Sequence, residues 1–152
     1  MKQKFLDLYM GIAELTAQTS VATRLKVGAI AVKDHRILSI GYNGTPPGYD
    51  NECEFREYTL GGSASYLDED GSSYNIKTKA EVIHAEQNAI LKMARDGQSS
   101  LGADLFVTHA PCIDCAKAIK TSGIRKVWYR NSYRDSLGVE FLEKLNVEVE
   151  KI

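Results

Sequence analysis

The sequence predicts an α/β protein of three layers (α/β/α), in which helices cover both faces of a central mixed sheet of about five strands. Two observations predict this fold class. An amphipathic helix and a β-hairpin open the chain, and strand-like runs then alternate with helical patterns to its end. Such alternation is typical of parallel strands, because the connecting helices pack on the faces of the sheet. The length of 152 residues suits one domain with its own core.

Each element has its own signal. Apolar residues at three- and four-residue spacing predict a helix over 3–19, and two β-branched runs joined by a polar turn predict the hairpin over 27–42. The turn residues of 43–48 predict a loop. The remaining predicted elements are helices over 80–95, 112–122 and 136–144, and strands over 105–108, 126–129 and 147–149.

The stretch 49–79 is the least regular part of the chain, with weak periodicity and several glycine and serine steps. A connection of this length is uncommon inside a compact domain unless it has a function. We therefore expect one domain over 1–152, with an irregular insertion at about 49–79 that serves as a flap or an assembly surface.

Composition and charge exclude several classes of protein. The formal net charge of -1 argues against a nucleic-acid polymer as partner, although a small phosphorylated ligand needs only one or two local cations. No apolar run approaches the roughly 20 residues of a membrane helix, and the first residues have no signal-peptide core. Two of the three cysteines lie three positions apart, which favours metal or redox chemistry over disulfides. A cytoplasmic protein is expected.

Two short motifs, HAE at 84–86 and PCIDC at 111–115, are the candidates for chemistry. Two cysteines three positions apart at a helix start present both sulfurs on one side, where the helix N-terminus stabilises thiolates. His84 and Glu86 would diverge by about 200° in mid-helix, so they converge only in a first turn. If the two helix starts meet, His84, Cys112 and Cys115 supply three ligands of a tetrahedral metal site.

Three protein ligands leave the fourth position of a zinc ion open for water, which is the arrangement of a catalytic site. Glu86 is then placed to take a proton from that water and pass it to a leaving group. The combination of H-x-E with P-C-x-x-C is the signature of the zinc-dependent nucleobase deaminases. The motifs thus predict catalytic Zn²⁺ held by His84, Cys112 and Cys115, with Glu86 as the catalytic residue.

Other interpretations of the same residues are weaker. A closed structural zinc site needs a fourth ligand, for which Cys53, His35 and His109 are the candidates. Of these His109 is the strongest, although we expect it to line the mouth of the site. A redox role for the cysteine pair leaves the HAE motif without a function, and a buried core histidine at position 84 does not explain the cysteines.

The chain resembles the deoxycytidylate (dCMP) deaminases of the cytidine deaminase superfamily, and is most similar to their bacteriophage members. The resemblance runs from about residue 23 to the C-terminus and rests on KVGA at 26–29, GYNGTP at 41–46, HAEQNAI at 84–90 and PCIDCAK at 111–117. The last two segments identify the chemistry, whereas the GYNGTP loop and the long segment before His84 point to dCMP. The resemblance implies a cytidine deaminase-like fold and the hydrolysis of dCMP to dUMP and ammonia, which feeds dTTP synthesis.

The resemblance also implies roles for further residues. Asn43 would contact the sugar-phosphate part of dCMP and Tyr133 would close over the nucleotide. Lys26 and Arg134 would lie near the phosphate. If the protein is viral, it would work in the cytoplasm of the host.

Regulation and assembly are implied by the same resemblance. The family is typically a homohexamer that dCTP activates and dTTP inhibits, with Mg²⁺ accompanying the triphosphate. The effector site would involve Gly44, Pro46 and Gly48. Some phage relatives hold a second, structural zinc, but residues 21–23 here contain no cysteine and 49–79 contain no histidine, so one zinc per chain is expected.

Two kinds of alternative function remain. The first keeps the chemistry and changes the substrate to dCTP, cytidine, guanine or a tRNA adenosine, and the tRNA enzyme would require a more basic surface. The second is a non-catalytic module that binds zinc or a nucleotide. The presence of Glu86 argues against the second.

Overall fold

The structure is a computed structural model that describes residues 1–60 and 64–152. Its helices in the described residues are α1 (Gln3–Gln18), α2 (Ala85–Arg95), α3 (Ile113–Thr121) and α4 (Leu137–Lys144). Its strands in the same residues are β1 (Gly28–Lys33), β2 (Arg36–Tyr42), β3 (Glu54–Tyr58), β4 (Tyr66–Leu67), β5 (Ser73–Thr78), β6 (Asp104–His109), β7 (Lys126–Asn131) and β8 (Glu148–Lys151).

The central sheet has five strands in the order β2-β1-β6-β7-β8. Strand β1 is antiparallel to both β2 and β6, whereas β6, β7 and β8 run parallel. The parallel strands are connected by α3 and α4, as expected for strand–helix–strand units. The prediction of a mixed sheet of about five strands is therefore confirmed.

Helices cover both faces of this sheet. Helix α1 packs on one face, around a cluster that includes the buried side chains of Met10, Ile30 and Phe106. The other face carries α2, α3 and α4 around a second apolar cluster. The three-layer α/β/α prediction is confirmed, and no described helix is long and apolar enough to cross a bilayer.

The start of α2 differs from the prediction of a helix over 80–95. Ile83 forms an isolated antiparallel bridge with Gly44: the N–H of Gly44 donates to the carbonyl of Ile83 at 3.1 Å, and the N–H of Ile83 donates back at 2.9 Å. These bonds keep Ile83 out of the helix, which therefore begins at Ala85. As a result His84 lies at the N-cap of α2.

The insertion at 49–79 is less irregular than expected. It contains a small antiparallel sheet in the order β3-β5-β4. Its strands β3 and β5 are exposed or half-buried and contain no buried residue, so no core imposes an alternation of apolar and polar residues on them. The Gly61-Gly62 step and Ser63 lie outside the described residues.

Candidate active site

The two motifs lie at the starts of two helices on the same side of the central sheet. His84 is the N-cap of α2 and Cys112 is the N-cap of α3, and both have extended backbone with ψ values of 154° and 170°. Cys115 and Glu86 lie in the first turns that follow. Extended backbone at an N-cap directs the side chain out of the helix end, and the two helix starts therefore bring His84 and Cys112 together.

The donor atoms of His84, Cys112 and Cys115 all lie within 4.8 Å of one another, the one such cluster of metal-binding side chains among the described residues. The Nδ1 atom of His84 is 3.5 Å from Sγ of Cys112 and 3.3 Å from Sγ of Cys115. A tetrahedral zinc ion with ordinary Zn–N and Zn–S bonds requires N···S separations of about 3.5 Å. The donor set and its spacing therefore fit zinc.

Two glycines allow neighbouring backbone to lie very close to these helix starts. A Cβ atom on Gly41 of β2 would lie 2.1 Å from the carbonyl oxygen of Ala85. A Cβ atom on Gly138 of α4 would lie 2.0 Å from the carbonyl oxygen of Pro111 and 2.9 Å from that of Cys112. Since real Cβ atoms do not approach that closely, both contacts require glycine, and each brings backbone against a turn that bears a predicted metal ligand.

The charge on the two cysteines is unequal. Hydrogen bonding with Cys115, together with that from His84, lowers the pKa of Cys112 to about 4. The pKa of Cys115 is raised, because its thiol bonds to Cys112 and is buried. The pKa of His84 is raised mainly by its contact with Cys112. One sulfur of the pair is thus a thiolate at neutral pH, which is the form that binds a metal.

Glu86 lies beside the cluster, with only 4% of the residue exposed. Burial raises the pKa of its carboxyl group to about 7. A carboxyl group with a pKa in this range can both accept and release a proton near neutral pH.

Glu86 also lines a cavity of about 450 Å³, which is large enough for a mononucleotide. Four of the predicted substrate-binding residues line this cavity: Asn43, His109, Tyr133 and Arg134. The predicted metal ligands His84 and Cys112 line it as well.

Two of the predicted cavity residues are held by contacts of their own. Burial lowers the pKa of His109, whose Nδ1 lies 3.1 Å from the hydroxyl of Thr108. Asn43 donates from Nδ2 to the carbonyl of Leu25 at 2.8 Å and accepts at Oδ1 from the N–H of Val27 at 2.8 Å. An amide has two donors and two acceptor positions, so Asn43 keeps one of each for a ligand.

Other predicted residues lie away from the cavity. Lys26 is exposed and does not line it. Gly44, Pro46 and Gly48 also lie outside its lining, in the loop that follows β2.

Four polar residues line the cavity without having been predicted from the sequence: Arg24, Glu54, Thr78 and Ser132. Arg24 belongs to the same segment as Lys26 and could have been considered beside it. Glu54 and Thr78 gave no signal, since they reach the cavity only through the pairing of β3 with β5.

Comparison with known proteins identifies the family. Residues 3–131 match the family described as the cytidine and deoxycytidylate deaminase zinc-binding region. The chain therefore belongs to the cytidine and deoxycytidylate deaminase family and is a deaminase. The resemblance predicted from the motifs is confirmed.

Individual relatives and a solved structure support the same family assignment. The deoxycytidylate deaminase of Enterobacteria phage T4 is 37% identical over 145 residues, which cover 80% of this chain and 75% of the phage protein. ComE operon protein 2 of Bacillus subtilis (strain 168) is 35% identical over 145 residues, covering 95% of this chain and 69% of that protein. The crystal structure of dCMP deaminase from the cyanophage S-TIM5, in complex with dCMP and dUMP, matches with a TM-score of 0.84 and 46% identity. It covers 100% of this chain and 99% of that one, so the predicted cytidine deaminase-like fold is confirmed.

Proposed function

We propose that this deaminase hydrolyses dCMP to dUMP and ammonia, with one zinc ion held by His84, Cys112 and Cys115. The observation that carries the proposal is the convergence of these three donors beside buried Glu86, at a cavity that also contains arginine side chains. The similarity to a phage enzyme whose structure contains dCMP and dUMP supports the choice of nucleotide.

Zinc bound by these residues would supply a Lewis acid that makes a water molecule a nucleophile near neutral pH. Glu86 accepts a proton from the attacking water and delivers it to N3 of the cytosine ring. The water oxygen bonds to C4 as the first proton reaches N3. Glu86 then takes the remaining proton from that oxygen and gives it to the 4-amino group, so that a C4–O double bond forms as the C4–N bond breaks and ammonia leaves. The enclosed position of Glu86 keeps bulk water from competing for these protons.

The remaining cavity residues orient the nucleotide. With the base directed at Glu86, the phosphate lies toward Arg24 and Arg134, which are the two arginines among the described residues of the lining. Tyr133 supplies an aromatic face and Asn43 a free donor and acceptor for the sugar. We assign the whole described chain to a single deaminase domain, in which the insertion provides part of the cavity wall.

The experiment that tests this mechanism is a comparison of Glu86→Gln with Glu81→Gln. Both variants lose one carboxylate, but Glu81 does not line the cavity. We expect E86Q to retain zinc and to lose at least about 10²-fold in kcat for dCMP, because general acid–base catalysis contributes this much. E81Q should turn over dCMP normally. An E86Q variant with near-normal activity would refute the assignment.

Substrate identity is tested on the same zinc-loaded preparation. We expect dCMP to have the highest kcat/KM in a panel with dCTP, cytidine and guanine, measured by ammonia release. A preference for one of the other compounds would replace dCMP as the substrate without changing the chemistry. If none of them releases ammonia, the hydrolytic function is wrong.

Regulation is a separate proposal: dCTP with Mg²⁺ activates the enzyme, dTTP inhibits it, and the assembly is a hexamer. A structural feature supports a role for the loop with Gly44, Pro46 and Gly48, since the Gly44–Ile83 bridge connects it to the residue before His84. We expect dCTP to lower and dTTP to raise the dCMP concentration at half-maximal rate. Saturation curves that neither nucleotide shifts would contradict this, and light scattering would report the size of the assembly.

A further inference from the structure

The segment between α1 and β1 has no regular structure, so its backbone groups need partners from elsewhere. Two of these backbone groups donate to the same residue of the insertion. The N–H groups of Thr23 and Arg24 both donate to Oε1 of Glu54, at 3.1 and 3.2 Å. A carboxylate that receives two adjacent backbone N–H groups fixes the path of the chain at that point.

The side chain of Arg24 is held by the insertion as well. Its guanidinium group donates to Oγ1 of Thr78 at 3.0 Å. This contact uses one of the five N–H donors of the guanidinium group, so about four remain for a ligand. Arg24, Glu54 and Thr78 all line the cavity.

The two anchoring residues are neighbours because of strand pairing. Glu54 and Thr78 are directly opposite each other in the antiparallel pair β3–β5, and therefore project from the same face of the small sheet. A shift of one residue in either strand would turn its anchor to the opposite face. The next pair along, Phe55 and Lys77, lies on that opposite face.

We infer that the insertion sheet, through Glu54 and Thr78, positions Arg24 to bind the phosphate of the nucleotide, and so makes the cavity selective for a phosphorylated ligand. The inference rests on the proposed function, since it takes the ligand to be a nucleoside monophosphate. An arginine without side-chain or backbone contacts loses side-chain freedom when it binds an anion. An arginine that is already held by its backbone and its guanidinium group loses less, and it binds the phosphate more tightly.

The test compares the binding of dUMP with that of deoxyuridine, which differs only by the phosphate. Dissociation constants are measured by calorimetry on the zinc-loaded protein and its variants. We expect Arg24→Ala, Glu54→Ala and Thr78→Val each to weaken dUMP binding by about tenfold or more, because each removes Arg24 or a hydrogen-bond acceptor that holds it in place. Binding of deoxyuridine should change by less than about twofold.

Three variants serve as controls. Thr78→Ser and Glu54→Gln retain an acceptor oxygen and should bind dUMP nearly as the unaltered protein does. Glu57→Ala removes a carboxylate from the same strand but from the opposite face, and it should leave both constants unchanged. A loss of dUMP binding in E57A equal to that in E54A would show a general effect of the insertion and overturn the inference.

Other outcomes separate this inference from the proposed function. If E54A and T78V weaken dUMP and deoxyuridine equally, or weaken neither, the positioning role is wrong even when dCMP is deaminated normally. If the unaltered protein does not deaminate dCMP but still binds dUMP more tightly than deoxyuridine through these residues, the proposed reaction fails and the positioning role stands.

Discussion

The two sheets of this protein are stabilised in different ways. The central sheet is covered on both faces, and β1 has five of its six residues buried. The insertion sheet is mostly exposed and is held by polar and aromatic contacts on its surface. Arg56 pairs with Asp68 at 2.7 Å and lies over the ring of Tyr74 at 4.8 Å, and the ring of Tyr66 stacks on Tyr74 at 5.5 Å.

The two sheets also contribute different kinds of residue to the candidate active site. The central sheet and its helices carry the proposed metal ligands and Glu86, and catalysis by them would require positions that hold to about 0.5 Å. The insertion carries Glu54 and Thr78, which contact Arg24 and which we infer to position it for the ligand. Changes in the central layers should therefore alter stability or metal binding, whereas changes in the insertion should alter substrate affinity and local opening.

Replacement of Gly138 by alanine should have the largest effect. The new Cβ atom would lie 2.0 Å from the carbonyl oxygen of Pro111, so the turn that bears Cys112 must move. We expect a loss of about 3 kcal/mol or more in the free energy of unfolding, measured in urea. We also expect zinc affinity, measured by competition with a chelator, to fall about 10–100-fold.

Substitutions at two other glycines distinguish the loss of stability from the loss of zinc affinity. A Cβ atom on Gly28 would lie 2.1 Å from the carbonyl oxygen of Ala13, on the face of the sheet opposite the proposed metal ligands. Gly28→Ala should therefore destabilise the fold while leaving zinc affinity within about twofold of normal. Apart from its chain neighbours and the adjoining backbone of α1, no described atom lies within 4 Å of a Cβ on Gly11, so Gly11→Ala should be neutral or stabilising by about 0.5–1 kcal/mol. Unchanged zinc affinity in G138A would contradict the role of Gly138.

Replacement of Asp104, the first residue of β6, should have a smaller effect. It is 3% exposed and accepts hydrogen bonds from Arg125 at 2.8 Å and from the indole N–H of Trp128 at 3.1 Å. Asp104→Ala leaves the indole donor without a partner, whereas Arg125, with a side chain 68% exposed, returns to water. We expect a loss of about 2 kcal/mol in urea unfolding and normal zinc content. A loss of zinc in D104A would show that the two ends of the sheet are not independent.

The central layers could be predicted from the sequence because burial imposes a pattern on them. Helix α1 shows its apolar stripe, and β1 and β6 are short apolar runs, since each packs against a core. The position of His84 could also be inferred, because the HAE motif converges on one side only at a helix start. The structure has this arrangement, with His84 at the N-cap of α2.

The cavity wall could not be predicted in the same way. Strand β3 reads Glu-Phe-Arg-Glu-Tyr and is exposed on both faces, so no core selects its residues. Whether Lys26 or Arg24 faces the ligand depends on contacts with Glu54 and Thr78, which are about 30 and 54 positions away from Arg24 in the chain. Such long-range contacts leave no local periodicity in the sequence.

Arg56→Ala tests the insertion directly and should have little effect on global stability. The side chain is 53% exposed, so its ion pair with Asp68 should contribute less than about 1 kcal/mol. Locally, the loss of the contact with Tyr74 should speed amide hydrogen exchange in β5 by about fivefold. Lys77→Ala is the matched control, because its exposed pair with Glu57 lies on the opposite face. Equal exchange in the two variants would contradict the proposed role of the Arg56–Tyr74 contact.

The smallest expected effect is a pH dependence of the insertion. The hydroxyl of Tyr58 holds the pKa of Asp68 below its usual range, with help from the N–H of Glu69 and from Arg56. Because the folded pKa is below the unfolded value, this contribution to stability is present above about pH 4 and is lost as pH falls through the folded pKa. Tyr58→Phe should move the titration of Asp68, followed by carbon NMR of the carboxyl group, to higher pH. Since the insertion is held at its surface, this shift should change exchange in β5 but not in β6, and a change in both strands would mean that the two sheets open together.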